Sequence, residues 1–567
     1  MPDYNRKPKS RAAALLALPT LLIGLLPACD PGPTGQSTDQ SPGISTNTPP
    51  TPIAAPPVDT NAVLALNDEQ IQFDKTVFAN EVDAQAYEST FVALWDRLRS
   101  MDPFKVFRQF PFIKLNLPLP GKWTSLPLGI EGIRLAKLSG DPTMLDHPSY
   151  LAVLNQLEAD GWRVAQTEWH HTEFRPGSDG RAPRSIISFE IHATNQAKER
   201  RAAIKGQLDL TWTDKKTNTG LRIPDTIQIV DTTITDYTGQ PAFVQMLQVD
   251  TTQLDSKLYP RVSPVIVNDL NKDGQPELIL AGSNLVYRKE GDNFQHIPFL
   301  DHPVIPLGEA GILADFDGDG EADFISTGKE DGLLRIWHAS GNGQFTTEPR
   351  TLLQSKFDNP HTMTTGDVDL DGDLDLFVGQ WKEPYLKGSM PTPYYDANDG
   401  YPDALLINDG KGNFTDGTKN AGLEAKRNRR TYSASFADLD GDNDLDLFCV
   451  CDFSGIDVYR NDSKGKFTDV TDNWVKQRHG FGMAHTVADF NGDGALDVYM
   501  VGMSSTTARR LDRLNLGRDG FEKYDAMRAP MTYGNRLYFG SSNGLQQPAL
   551  SDDAVSYTHL RAHETPE

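Results

Sequence analysis

The apolar positions change their period twice along the chain. Tyr87, Phe91, Leu94, Trp95 and Leu98 recur at helical spacing, and Asp102-Pro103 ends that run. Residues 150–157 predict a second short helix. From Trp162 onward β-branched and aromatic residues take over, in segments 162–174, 185–193, 205–213 and 226–235. Turn signals such as Pro176–Gly180 separate them. Helices followed by an antiparallel sheet predict an α+β domain over residues 63–250. Beyond residue 252 the apolar runs shorten to two or three residues: Val265–Val267, Leu278–Leu280, Phe324-Ile325, Leu376–Val378, Leu447-Phe448 and Val498–Met500. These are β-type runs, and polar loops stand between them.

Five of those loops align without gaps on the pattern D-x-[DN]-x-D-[GN]-x-x-[DE]. Positions one, three, five and nine are Asp269, Asn271, Asp273 and Glu277 in the first. They are Asp315, Asp317, Asp319 and Asp323 in the second, and Asp367, Asp369, Asp371 and Asp375 in the third. The fourth has Asp438, Asp440, Asp442 and Asp446, and the fifth Asp489, Asn491, Asp493 and Asp497. Calcium takes six to eight hard oxygen ligands. Three carboxylates or amides at alternate positions converge on one ion if the chain turns sharply after the third, and a Gly or Asn there tolerates the φ > 0 that such a turn needs. Position seven would add a backbone carbonyl and position nine a further carboxylate. The pattern predicts up to five Ca²⁺ ions. It is not an EF-hand, whose loop needs Glu at position twelve. Here that position is Leu280, Ser326, Val378, Cys449 and Met500.

The loop starts lie 46, 52, 71 and 51 residues apart. A Gly/Asn turn ending in Phe recurs in step: Gly341–Phe345, Asn408–Phe414, Asn461–Phe467 and Asn515–Phe521, with a degraded copy at Gly291–Phe294. It marks a second hairpin per unit. Two hairpins in about 50 residues make a four-stranded blade, and blades in series make a β-propeller. The long interval holds an insertion around Trp381–Pro402, either a binding element or a surface excursion. A partial further blade is expected at Asn535–Gly544, so the propeller stops short of closure.

The charge follows the loops. The chain has 567 residues, 54 Lys+Arg and 78 Asp+Glu, a net charge of −24. The five nine-residue loops contain 21 acidic residues and one base, Lys272. They therefore account for −20 of the total, and five Ca²⁺ would leave about −14. The acidic balance argues against a nucleic-acid binder, which needs a basic footprint.

The first 28 residues read as a secretory signal: Arg6, Lys7, Lys9 and Arg11, then an apolar run from Ala12 to Leu26. Leu26-Pro27-Ala28-Cys29 resembles the bacterial lipobox, which implies a lipid on Cys29 and a place in the cell envelope, on the periplasmic or cell-surface side. Residues 29–62 are rich in Pro, Ser and Thr and predict a disordered tether. No later run is long enough for another membrane span. The folded calcium-binding region is expected over 252–555. Residues 556–567 resemble a translated adapter tail, so the native protein is expected to continue differently.

Other reactive side chains are sparse. Glu168-Trp169-His170-His171-Thr172-Glu173, with His192, places one imidazole and one carboxylate on each face of a strand. Such a set can bind a transition metal, act as an acid–base pair, or simply edge a sheet. His361, His479 and His485 each precede an acidic loop, where packing competes with catalysis as their role. Cys449 and Cys451 share one face of a strand about 7 Å apart, poorly placed to bond each other. They read as core residues.

The acidic loops, the Asn/Gly–Phe turns, Phe414-Thr415-Asp416 leading to Ala421-Gly422-Leu423, and Phe467–Thr471 together resemble the FG-GAP/VCBS repeat propellers, of which integrin α-subunit heads are the familiar case. More narrowly they resemble the bacterial relatives of cartilage acidic protein, a group associated with an ASPIC/UnbV segment. The element order of 63–250 loosely resembles the NTF2-like fold. These resemblances imply a membrane-anchored calcium-binding propeller that acts as an adhesion or binding module for a glycan or an envelope protein. The alternative is an enzyme on the same scaffold, a polysaccharide lyase or hydrolase, or a propeller that presents an active 63–250 domain. No nucleophile elbow, P-loop or dinucleotide fingerprint is present in the sequence.

Overall fold

The computed structural model describes Lys75 and residues 79–547, apart from 126–131, 179, 241–242, 244, 250–261, 292, 305, 385–394, 506–509, 511, 513, 515–526, 529, 533 and 542–543. The signal, Cys29, the tether and the 556–567 tail lie outside the described residues, as do the middle of the 381–402 insertion and the turn at Asn515–Phe521. The chain is mostly β, built as several separate antiparallel sheets. It divides into two units. The first holds the described residues up to Gln240 together with Arg510, Asp512 and Leu514, and the second holds the rest from Phe243 on. No helix among the described residues is long and apolar enough to cross a membrane.

In the first unit, α1 (Ala79–Ser100) carries the helical spacing read above and buries Tyr87, Phe91, Leu94 and Leu98. The short α2 (Pro103–Gln109) starts at Asp102, whose side chain accepts the Lys105 N–H at 3.0 Å. Asp146 caps α3 (His147–Ala159) in the same way, through Ser149 at 2.9 Å. Both caps satisfy an N–H that the first helical turn leaves unpaired. The sheet has eight strands: β1 (Lys114–Leu117), β2 (Thr124–Ser125), β3 (Ile133–Lys137), β4 (Thr143–Leu145), β5 (Arg163–Arg175), β6 (Arg184–Asn195), β7 (Arg200–Lys216) and β8 (Arg222–Thr238). The order β2-β3-β8-β7-β6-β5 is antiparallel, while β1 runs parallel to β8 and pairs antiparallel with β4. Trp169, Ile187, Phe189, Leu208 and Trp212 form one core with the helical residues.

The second unit is a row of five sheets. The first joins β9 (Val265–Asn268), β10 (Glu277–Leu280), β11 (Leu285–Glu290) and β12 (Asn293–Pro298). The second joins β13 (Leu307–Ala314), β14 (Asp323–Gly328), β15 (Leu333–Trp337) and β16 (Arg350–Lys356). The third joins β17 (Pro360–Gly366), β18 (Asp375–Gln380), β19 (Ala404–Ile407) and β20 (Thr415–Asp416). The fourth joins β21 (Arg430–Ala437), β22 (Asp446–Asp452), β23 (Gly455–Arg460) and β24 (Thr468–Asp469). The fifth has three described strands, β25 (Gly482–Ala488), β26 (Asp497–Gly502) and β27 (Arg536–Tyr538).

Here the structure corrects one expectation. Residues 535–544 do not open a further unit, because Arg536–Tyr538 pairs with β26 as the third strand of the fifth sheet. The long stretch between β26 and β27 had separated this strand from its own loop.

The second strand of each central sheet is buried on both faces, in β14, β18 and β22 alike. Its side chains alternate between two cores. Phe324 packs toward the first sheet and Ile325 toward the third. Leu376 and Val378 meet Ile325 and Ile336, while Phe377 meets Leu447 and Cys449. Phe448 and Val450 turn instead to Val498 and Met500. This explains the continuous apolar runs in the sequence, since a strand with a sheet against each face has no polar side. Cys449 and Cys451 are buried and free on the face toward the third sheet, and burial pushes both thiols up.

Candidate metal centres

Each acidic loop closes the hairpin between the first and second strands of its sheet, and position nine is in every case the first residue of the second strand. The closing pairs are Asn268↔Glu277, Ala314↔Asp323, Gly366↔Asp375, Ala437↔Asp446 and Ala488↔Asp497. The five loops share one hydrogen-bond scheme. The position-one carboxylate accepts the N–H of position six, from Gly274 at 2.8 Å, Gly320 at 2.9 Å, Gly372 at 3.1 Å, Asn443 at 3.1 Å and Gly494 at 2.9 Å. Position five accepts from position seven at 2.8–3.2 Å. Position nine accepts from position two at 2.8–3.3 Å.

The turn needs two left-handed residues, not one. Position six has φ of +69° to +99°, as its Gly or Asn implies. Position four is also left-handed: Lys272 at +59°, Gly318 at +74°, Leu370 at +61°, Gly441 at +80° and Gly492 at +76°. Three glycines at that position were the available signal. Leu370 is exposed and carries a Cβ where the backbone disfavours one. Leu370→Gly is therefore expected to raise stability by up to about 1 kcal/mol, the relief of left-handed strain less the extra freedom of the unfolded chain. Differential scanning fluorimetry in saturating calcium would read it, and a lowered melting point would contradict it.

The donor set fits a hard cation. The ligand oxygens of Asp315, Asp317 and Asp319 lie within 4.8 Å of one another, as do those of Asp367, Asp369 and Asp371, and of Asp438, Asp440 and Asp446. Within these clusters Oδ1 of Asp369 and Oδ1 of Asp440 are buried with no hydrogen-bond partner, and so are Oδ1 of Asp373 and Oδ1 of Asp444 at position seven. A buried carboxylate oxygen without a partner is costly unless a cation or a proton takes it. Burial raises Asp375 and Asp446 to about 7. Burial followed by repulsion from Asp371, Asp369 and Asp367 raises Asp373 to about 6. Asp323 reaches about 6, again chiefly through burial, with nearby His338 opposing. His338 was not foreseen: its Nδ1 lies 3.1 Å from both Asp317 and Asp323. The first loop differs, because Lys272 Nζ donates to Gly320 O at 2.7 Å and pairs with Glu321 at 2.8 Å.

Turn asparagines tie the loops together. Asn408 donates its amide to Leu374 O of its own loop at 3.1 Å and to Phe316 O of the preceding loop at 2.9 Å. Asn461 repeats this one sheet on, with Leu445 O at 3.2 Å and Val368 O at 2.7 Å. Their backbone N–H groups reach the position-nine carboxylates Asp375 and Asp446, and in the fifth sheet Gly540 does the same for Asp497. One model of repeat sequences matches both pairs of loops, at residues 315–378 and 438–500, and its description is FG-GAP-like repeat. The chain carries FG-GAP-like repeats. The Asp-rich clusters within them can hold metal ions and are compatible with calcium.

No curated protein matches the chain. Among solved structures, the V. cholerae biofilm matrix protein Bap1 aligns at 16% identity and a TM-score of 0.24, over 44% of this chain and 37% of that one. The chain thus spans little more than a third of that structure's length. A putative 6-phosphogluconolactonase from Bacteroides uniformis aligns at 11% identity and a TM-score of 0.23, over 61% of this chain and 93% of that one.

The opposite ends of the FG-GAP-like sheets hold a different chemistry. Beyond the end of β18 the insertion returns through residues 395–402, and these are clamped by the run Lys426–Arg430. Arg429 is 5% exposed on its side chain and binds Asp396 at 2.8 Å and Asp457 at 2.9 Å. Arg430, fully buried, grips both oxygens of Asp399 at 3.0 and 3.1 Å. Arg478 adds a second bond to Asp396 at 3.0 Å. Sequence reasoning missed this network, although four bases within five residues, next to a buried strand, were its signal.

The remaining candidates are distributed. Glu168 and His170 share one sheet face, 3.5 Å apart, and Glu190 and His192 pair on the neighbouring strand at 2.9 Å. His171 faces the other way. It is buried, meets Ser185 Oγ at 2.9 Å, and is held down to about 3 by burial and by Arg510. Glu173 pairs with Arg175 at 2.6 Å. Among the described residues these do not converge into a three-ligand cluster. His485 contacts Ser435 Oγ at 2.9 Å and packs on Phe448, and His479 stands beside Arg478; burial lowers each to about 4. His361 packs between Trp381 and Tyr432.

Proposed function

We propose that the second unit is a calcium-stabilised β-propeller, similar to the bacterial relatives of cartilage acidic protein, and that it serves as an adhesion or binding module. In this reading the chain is tethered to the bacterial envelope through a lipid on Cys29, and the propeller engages a glycan or an envelope protein. The observation that carries the proposal is the repetition of one acidic loop, with one hydrogen-bond scheme, between the first two strands of five successive sheets. Calcium would be held there by positions one, three, five and nine, with the first loop the weakest, since Lys272 already supplies a positive charge. Calcium bound there supplies a cross-link between strands and removes the mutual repulsion of the acids. The insertion leaves from the other end of β18, so ligand binding and ion binding occupy opposite ends of the scaffold.

Asp371→Ala, at a position that is Asp in all five loops, separates the two roles. The variant should melt several degrees lower in calcium yet bind, at 10 °C, the same glycan or envelope protein as the parent, with affinity within twofold. A glycan array and an envelope-protein array, probed with the calcium-loaded protein, supply the ligand. No ligand on either array, or turnover of an arrayed polysaccharide, would overturn the binding-module reading.

A further inference from the structure

The first unit encloses a cavity of about 260 Å³. Its origin lies in the sheet. Ala193 and Ala202 stand opposite each other on β6 and β7, and both line the cavity. Ile191 and Ile204, the next pair along the same face, line it too. The two alanines leave open the space that larger side chains would fill. β8 adds curvature. Its register against β7 shifts between Lys205↔Thr233 and Gln207↔Val230, and Asp231 there is left-handed, at φ +44°. Such a bulge bends its strand. Gly206 of β7 permits the close approach, since a Cβ on it would stand 1.9 Å from Thr232 Oγ1. Protein interiors rarely contain voids much larger than a water molecule, and an empty one costs stability in proportion to its volume.

The wall is apolar and partly aromatic, with Phe91 from α1, Phe107 from α2, Tyr150 from α3 and Phe189 from β6. Arg163 is the only charged residue in the lining and the only exposed one. Its Nη1 donates to Trp162 O at 2.6 Å and to Glu158 O at 3.2 Å. The lining hydroxyls are already used: Thr232 donates to Val230 O at 2.8 Å and Tyr150 to Phe107 O at 3.2 Å. The Trp169 indole N–H is itself buried, out of a ligand's reach. A wall of this kind rejects a group that must keep its hydrogen bonds, and a hydrocarbon of matching size restores the contacts that a void lacks. We propose that this cavity binds an uncharged hydrocarbon body of about ten heavy atoms, and that it selects against polar groups of the same shape. The size is scaled from an engineered apolar cavity of about 150 Å³ that stays dry and takes up benzene. This site lies in the first unit and goes beyond the binding module proposed for the second.

The test uses the full chain and two probes of one shape, 1-methylnaphthalene and 1-naphthol, in equilibrium dialysis. 1-Methylnaphthalene should bind at one site per chain. 1-Naphthol, with a hydroxyl in place of the methyl group, should bind about tenfold more weakly, the loss expected when a hydroxyl is buried without a partner. Ala202→Leu should abolish binding of 1-methylnaphthalene by filling the space, and Ala193→Leu serves instead if that variant does not fold. Absence of 1-methylnaphthalene binding to the parent overturns the proposal. So does 1-naphthol binding as tightly as 1-methylnaphthalene, or binding that survives the filling variant.

Discussion

Chelation with EGTA should lower the melting point of the calcium-loaded protein on the order of 10 °C, and added calcium should restore it. A site filled at about one hundred times its dissociation constant adds about 2.7 kcal/mol to the native state, and each kcal/mol moves a unit of this size by about 2–4 °C. The second, third and fourth loops each bring a cluster of three carboxylates close enough to share one ion, so a single well-filled site already approaches the expected shift. The dependence on pH sharpens the test. In the ion-free protein Asp375 and Asp446 are raised to about 7, Asp323 and Asp373 to about 6. A carboxyl raised in the folded state binds its proton more tightly there than in the unfolded chain. Its contribution to stability is present at low pH and is lost as pH rises through 6 to 7. Calcium must displace those protons. The gap between the melting curves in calcium and in EGTA should therefore widen from pH 5 to pH 8. His171, His479 and His485, whose lowered values act in the opposite direction, affect both curves and cancel in the gap. Coincident curves across that range would remove calcium from the account.

Loss of Arg429 should be as damaging as loss of the ions. Its guanidinium lies between Asp396 and Asp457, and Asp457 is 1% exposed. Arg429→Met is expected to cost about 3–5 kcal/mol, because a buried carboxylate is left short of its partner. Lys426 still meets Asp457 at 2.6 Å and Arg478 still meets Asp396, which sets the result toward the lower end. The double variant Arg429→Met with Asp457→Leu should recover more than half of the loss, since an apolar pair can replace a buried ionic one. Urea unfolding of the two single variants and the double gives the coupling. An Arg429→Met protein within about 1 kcal/mol of the parent would show that the network is solvated rather than buried.

What the sequence made legible was whatever is written within a few residues. The loops were readable because an ion cage needs its oxygens at fixed local spacing, and α1 because Tyr87, Phe91, Leu94 and Leu98 repeat along one face. The Asn408 and Asn461 turns were visible as a recurrence, but not as ties, because each amide reaches a carbonyl more than ninety residues away. The Arg429 network joins Asp396 and Asp457 from either side, and no local pattern ties those acids to that arginine. The third strand of the fifth sheet was misread for the same reason, since the stretch after Gly502 hid its partner. Leu370 shows a third limit: its left-handed backbone is imposed by the loop and is not advertised by leucine.

The double-sided second strands also set where these repeats are free to change. Phe324 and Ile325, or Phe377 and Val378, serve different neighbours, so one substitution there must satisfy two interfaces at once. The fourth strands, Thr415–Asp416 and Thr468–Asp469, are exposed and each pairs with one strand only, although Asp469 also binds Lys426 at 2.7 Å. New surface chemistry can accumulate along that outer edge at little cost. A repeat array of this design can change along its edge strands while its interior stays nearly fixed.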